Sequence, residues 1–134
     1  MFQRRVFLLL FTTLGLFSAE KFLVREHLGS IADKGEFLLS TNSSHTGMDC
    51  GIFSIKNNKP ELLLSAHIKN EDITNFTDTI TAFLKQLHEI YSLTVKYACF
   101  AGPGVPSAQQ DYLEHWRLPY VINAKEIIER NNLT

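Results

Sequence analysis

The residues best equipped for chemistry lie together in Asn42-Ser43-Ser44-His45-Thr46-Gly47, a polar turn between the apolar runs "FLL" and "CGIFSI". Hydroxyls and backbone N–H groups in such a turn can converge on phosphate oxygens, and glycine lets the backbone adopt the positive φ that aims them. The same residues also suit a plain hairpin bend, so both readings stand. Ser43 or Ser44 beside His45 offers a nucleophile and a base, but sequence neighbours rarely present an imidazole correctly to a hydroxyl. His45, His67, His88 and His115 lie on different segments without the spacing of metal ligands. Asp49 and Asp111 each follow a turn and read as surface carboxylates.

The elements that position this turn can be read from periodicity. "EFLLST", "CGIFSIK" and "ELLLSAHI" are three short strands, and "KNNKP" turns the chain between the second and third. Short connections make them an antiparallel meander. Ile73, Phe76, Ile80, Phe83, Leu84, Leu87 and Ile90 then recur at three- and four-residue steps, the stripe of an amphipathic helix. Asn75 is its expected N-cap, with Asp78 three positions on. "VKYACFAG" is a buried strand that ends in the turn "GPGVP", "DYLEHW" reads as a further short strand, and "AKEIIERNN" reads as a closing helix capped near Asn131 or Asn132.

A meander, a helix and a returning strand make a mixed α/β sheet, and a right-handed crossover sets the returning strand parallel to the first. Ligands gather at the carboxyl ends of such strands. That end of the sheet would hold both "NSSHTG" and "GPGV".

Bulk properties narrow the partners. The chain has 134 residues, 45% apolar and 20% charged, with a formal net charge of −1, so it carries no positive excess for nucleic acid. Cys50 and Cys99 sit in apolar runs, where free cysteine packs as a small hydrophobe; export would favour a bridge instead. Residues 1–19 look like a leader, with "MFQRR", an apolar run too short for a comfortable membrane span, and "SAE". Phe17 fits a cut after Ala19 poorly, so export, anchoring and a cytoplasmic location stay open. Residues 20–35 read as a linker or short helix, and 36–134 as the folded unit. "NSS", "NFT" and "NLT" are sequons that matter only in a eukaryotic secretory route.

The order of elements with these two turns resembles the N-terminal lobe of bacterial glucokinases, in the actin-like ATPase and sugar kinase superfamily with its ribonuclease H-like fold. The resemblance runs from about Glu36 to Leu133. It is carried best by "ACFAGPGV" followed by "LPYVINAKEI", where Gly102, Pro103, Leu118, Pro119, Tyr120, Val121, Ile122 and Ala124 fall in step with the family. The family's phosphate loop, Asp-x-Gly-Gly-Thr-Asn, falls on Asn42 to Gly47.

The resemblance implies ATP-dependent phosphorylation of glucose to glucose 6-phosphate, with ATP and magnesium as cofactors. Asn42, Ser43, Ser44, Thr46 and Gly47 would contact phosphate, and Gly102, Pro103 and Arg117 would line the sugar side. Departures from the family weaken each part. Ser44 and His45 crowd the space the glycines leave, and Asn42 lacks the charge that holds magnesium. Trp116 and Arg117 replace a Thr-Asn pair whose asparagine contacts sugar in the family. Arg117 suits a hydroxyl or an anionic group such as a sugar phosphate, with a solvated or ion-paired arginine as the bland alternative. The family's catalytic base and second lobe would follow Thr134, so no residue here is assigned to catalysis and the chain alone is expected to be inactive.

The rival expectation is an exported or membrane-anchored, non-catalytic binding module that reuses the lobe. It would meet a partner or a second copy through the face left by a missing lobe, and touch membrane only through its leader.

Overall fold

A computed structural model describes residues 21–27, 36–109 and 111–134. The expected leader, and most of the expected linker, lie outside the described residues. Strands β1 (Val24–Glu26), β2 (Glu36–Ser43), β3 (Gly47–Lys56), β4 (Lys59–Lys69) and β5 (Tyr97–Ala101) form one sheet in the order β1-β4-β3-β2-β5. β2, β3 and β4 are the expected antiparallel meander, and β5 lies parallel to β2 with Leu38 opposite Tyr97. The architecture is mixed α/β. Val24–Glu26 belongs to a stretch read as linker or short helix; it adds an antiparallel edge to β4, with Arg25 opposite Ser65.

Local chemistry explains the boundaries. β3 and β4 are joined at Asn57 and Asn58, both with positive φ, 52° and 59°. Two consecutive left-handed residues match the twist of a two-residue hairpin, and asparagine tolerates that region better than most side chains. Helix α1 (Phe76–Tyr91) begins where Asn75 Oδ1 accepts the Asp78 N–H at 3.0 Å, as its sequence predicts. It ends on Ser92 in a left-handed cap, whose N–H donates to His88 O. Helix α2 (Ala124–Asn131) is capped in the same two ways by Asn123 and Asn132. The DYLEHW segment supplies only Tyr112–Leu113 (β6), which pairs with Ile122–Asn123 (β7) in a separate two-stranded ribbon.

The core lies on one side of the sheet. Leu39, Met48, Ile52 and Leu64 are fully buried together with Ile80, Phe83 and Leu87 of α1. Phe22 meets Phe83 edge-on with ring centroids 5.5 Å apart, and its backbone is clamped at both N–H and C=O by the buried Gln86 amide. These two hydrogen bonds satisfy a side chain that would otherwise be costly to bury. β4 carries a bulge opposite Ile52 and Phe53, so that Leu63 and Leu64 in succession are both buried.

Candidate functional site

Two connections converge at the carboxyl ends of β2 and β5: the hairpin turn of residues 44–46 and the loop that begins at Gly102. The turn is shorter than the sequence suggests, because Asn42 and Ser43 belong to β2 and Gly47 opens β3. Their alternation matters. Asn42 is exposed on the face of the sheet away from α1, while Ser43 is buried on the α1 side with no hydrogen-bond partner for its hydroxyl. These two candidate phosphate residues point to opposite faces.

Ser44, Thr46 and Gly47 do come together, but chiefly around one another. The Ser44 N–H donates to Gly47 O at 2.8 Å, and the N–H groups of Thr46 and Gly47 both approach Ser44 Oγ at 3.4 Å. Ser44 Oγ in turn donates to Gly47 O at 3.0 Å and lies 3.1 Å from the Thr46 hydroxyl. Among the described residues, positive φ occurs at Asn57, Asn58, Ser92, Gly104 and Asn132, and nowhere in this turn. The N–H groups that a phosphate loop aims outward here close the turn on itself.

Asn70 anchors the turn from below. Its Nδ2 donates to Ser44 O at 2.9 Å and its N–H to Thr46 O at 3.2 Å, while its Oδ1 accepts from the Tyr120 hydroxyl at 3.3 Å. Tyr120 stacks on Phe76 with centroids 5.1 Å apart. Burial raises the pKa of its phenol. No local pattern singles out Asn70, because its partners are 26 and 50 residues away.

At the end of β5, Gly102 is a packing glycine. A Cβ there would come within 2.8 Å of Leu113 Cδ2 and 3.4 Å of Ile122 Cδ1, so the β6–β7 ribbon packs directly against this point. Pro103 follows, and Gly104, at φ 96°, turns the chain past His115. Arg117 is exposed, with its guanidinium 4.8 Å from the Trp116 ring centroid and its N–H donating to His115 Nδ1 at 3.2 Å. Trp116 itself is 81% exposed and stacks with His115. The result is a surface ridge of imidazole, indole and guanidinium.

One arrangement escaped the sequence reading. Asp49 and His67 stand opposite each other on β3 and β4, and His67 Nδ1 lies 2.7 Å from Asp49 Oδ1. Asn42 pairs with Asp49 on the other flank, which makes a polar row across three strands on the open face. The His67 ring sits over Gly47, where a Cβ would be 2.7 Å from Nε2. A carboxylate on one ring nitrogen fixes an imidazole and leaves the other nitrogen for a proton or a ligand. Both side chains are largely solvated, however, and no third His, Cys, Asp or Glu completes a metal-binding group among the described residues.

Counting back from the Asn57–Asn58 turn, an unbroken ladder would set Asp49 opposite Ala66. The bulge in β4 advances the register and brings in His67. No spacing rule in the sequence marks that bulge.

Cys50 is buried and its pKa is pushed up to about 12, first by burial and then by the neighbouring Asp49 charge, so its thiol is inert near neutrality. Cys99 is exposed, contrary to its reading as a core hydrophobe, because strand alternation turns it to the uncovered face. No helix among the described residues is long and apolar enough to cross a membrane. Comparison with protein-family models, curated proteins and solved structures finds no significant match to this chain.

Proposed function

We propose that the chain is a lobe of ribonuclease H-like, actin-like ATPase type, related to glucokinases and acting without catalysis of its own. The observation that carries this reading is the parallel pairing of β2 and β5 after an antiparallel meander. It sets the 44–46 turn and the Gly102 loop at one end of one sheet, where nucleotide and sugar meet in kinases of that architecture. Phosphoryl transfer needs donor, metal, base and acceptor positioned together. Here the turn spends its N–H groups internally, and Asn42 offers no charge for magnesium. A sugar or sugar phosphate held by Arg117 is the remaining ligand on this reading, with ATP and magnesium bound weakly at most.

Isothermal titration of the whole chain with glucose, glucose 6-phosphate and magnesium ATP, each separately, tests this. Saturable binding of a sugar that is lost in Arg117→Ala supports a surviving cleft. Silence with all three, from protein shown to be folded, removes the ligand-binding reading. Formation of glucose 6-phosphate by the pure protein would overturn the non-catalytic assignment.

A second reading, a non-catalytic interaction module, is favoured by the large apolar side chains left in solvent: Leu23 at 88%, Val105 at 86% and Trp116 at 81% exposure. Val105 and Trp116 lie on the two loops that meet at Gly104 and His115.

A further inference from the structure

We infer that His67 Nε2 is a phosphoryl acceptor, loaded from a donor of the phosphoramidate class while Asp49 holds the other ring nitrogen. The inference does not rest on the sugar-kinase reading, and a chain that accepts one phosphoryl group needs no catalysis of its own. It begins with tautomers. An imidazole attacks phosphorus through the nitrogen that carries a lone pair, and the bond made by the other nitrogen decides which one that is. A carboxylate only accepts, so the 2.7 Å contact between His67 Nδ1 and Asp49 Oδ1 requires the proton on Nδ1. In the neutral ring Nε2 is then the nucleophile.

Three other histidines are set differently. His115 Nδ1 accepts the Arg117 N–H at 3.2 Å, which puts the proton of its neutral ring on Nε2. His27 spends Nε2 on the Ser65 hydroxyl at 2.6 Å. His88 Nδ1 lies 3.5 Å from the Thr94 hydroxyl, too far to fix a tautomer.

The surroundings of His67 suit an anion. Its ring lies over Gly47, where a Cβ would meet both Nε2 and Ile68 O at 2.7 Å, so a residue without a side chain gives the imidazole its place. Lys69 pairs with Gly47 and follows His67 by two residues, so the two side chains stand on the open face. That spacing along β4 is about 7 Å. The Lys69 amine is exposed and only loosely held, 3.9 Å from Glu71 Oε1, which leaves it available to a phosphoryl oxygen. The His67 side chain is half exposed, so a donor can reach it.

In the transfer, the Nε2 lone pair forms a bond to phosphorus while the P–N bond of the donor breaks. The donor nitrogen, already protonated in phosphoramidate, takes that electron pair and leaves as ammonia. The ring becomes an imidazolium with the phosphoryl group on Nε2 and its proton still on Nδ1. Asp49 offsets the new positive charge where it appears, and no proton has to move. One P–N bond replaces another, so the step calls for no further energy source.

The test treats the whole chain with potassium phosphoramidate and maps the product by mass spectrometry. His67 should gain one phosphoryl group, labile in acid and stable in base, about tenfold or more faster than exposed His45. Nitrogen-15 NMR should show the His67 ring as the Nδ1–H tautomer before treatment and substituted on Nε2 after it. His67→Gln should remove this label. Asp49→Asn, shown to be folded by circular dichroism, should slow labelling about tenfold and shift the ring away from the Nδ1–H tautomer, which a merely structural role for Asp49 would not do. Lys69→Gln should slow transfer about threefold, the scale of an exposed ionic contact. Labelling of His67 no faster than of His45 overturns the proposal. So does a label on Nδ1, or a folded Asp49→Asn that keeps both rate and tautomer. An unchanged rate in Lys69→Gln would mean that the site does not select phosphate, and the proposal fails.

Discussion

Alternate residues of β3 lead to different environments. Met48, Cys50, Ile52 and Ser54 are buried on the side of α1, while Asp49, Gly51, Phe53 and Ile55 face away and keep contact with solvent. The covered face is apolar and interlocked. The open face mixes the Asp49–His67 pair, a His27–Ser65 contact of 2.6 Å, Cys99 and half-exposed aromatic rings. Stability resides on the covered face, and the accessible polar and thiol groups lie on the open one. A strand fixes which residues share a face, and the layer packed on one face fixes what each face is for.

Cysteine chemistry should divide the faces most sharply. Cys99 should react with a thiol reagent near neutral pH about a hundredfold or more faster than Cys50, which must wait for the structure to open. Equal rates would mean that the two faces are equally accessible. The raised Cys50 pKa also has a stability consequence. Its contribution is fully present below the unfolded thiol value and is lost as pH climbs from there toward about 12.

Core truncation comes next. Phe83→Ala should cost about 3–5 kcal/mol, a large share of the stability of a domain this size, because the ring is fully buried against Phe22. Phe53→Ala on the open face should cost about 1–2 kcal/mol, since the ring keeps part of its hydration in the fold. Urea unfolding of both variants checks the ratio, and comparable losses would show the open face to be covered.

The cap of α1 should contribute less than its core. Asn75→Ala removes the acceptor for the Asp78 N–H and should lower stability by about 1 kcal/mol, read as a shift in the urea midpoint at unchanged slope. The smallest effect should come from Glu36, whose pKa is lowered by hydrogen bonds from Lys96 and then Tyr97. Its folded value lies below its unfolded one, so its contribution is present above the unfolded value and is lost as pH falls through the folded value. Glu36→Gln should therefore differ slightly from wild type near neutrality and converge with it in acid. Added salt should narrow the gap, since the pair is exposed.

Much of this fold was legible because the signals are local. The apolar stripe from Phe76, the Asn75 cap, the Asn57–Asn58 turn and the run of three strands are each settled within a few residues by period and backbone preference. Strand β1 was not legible, since three residues of Val-Arg-Glu have no period and owe their conformation to β4. The candidate site was legible only as a location. That Ser44, Thr46 and Gly47 bond to each other, and that Asn42 and Ser43 part to opposite faces, follows from strands running further into the turn than composition suggests.

The amino-acid sequence by itself determined the order of elements from β2 to β5, the Asn75 start of α1 and the parallel return of β5 beside β2. Local propensity and the handedness of the crossover leave little choice there. Only the tertiary structure decided that Asn70 ties the turn to Tyr120, and that Cys50 is inert while Cys99 is open. It alone, through one bulge in β4, set His67 opposite Asp49 instead of Ala66. Each of these depends on register between segments far apart in the chain. A shift of one residue there changes every partner and leaves the local pattern unaltered.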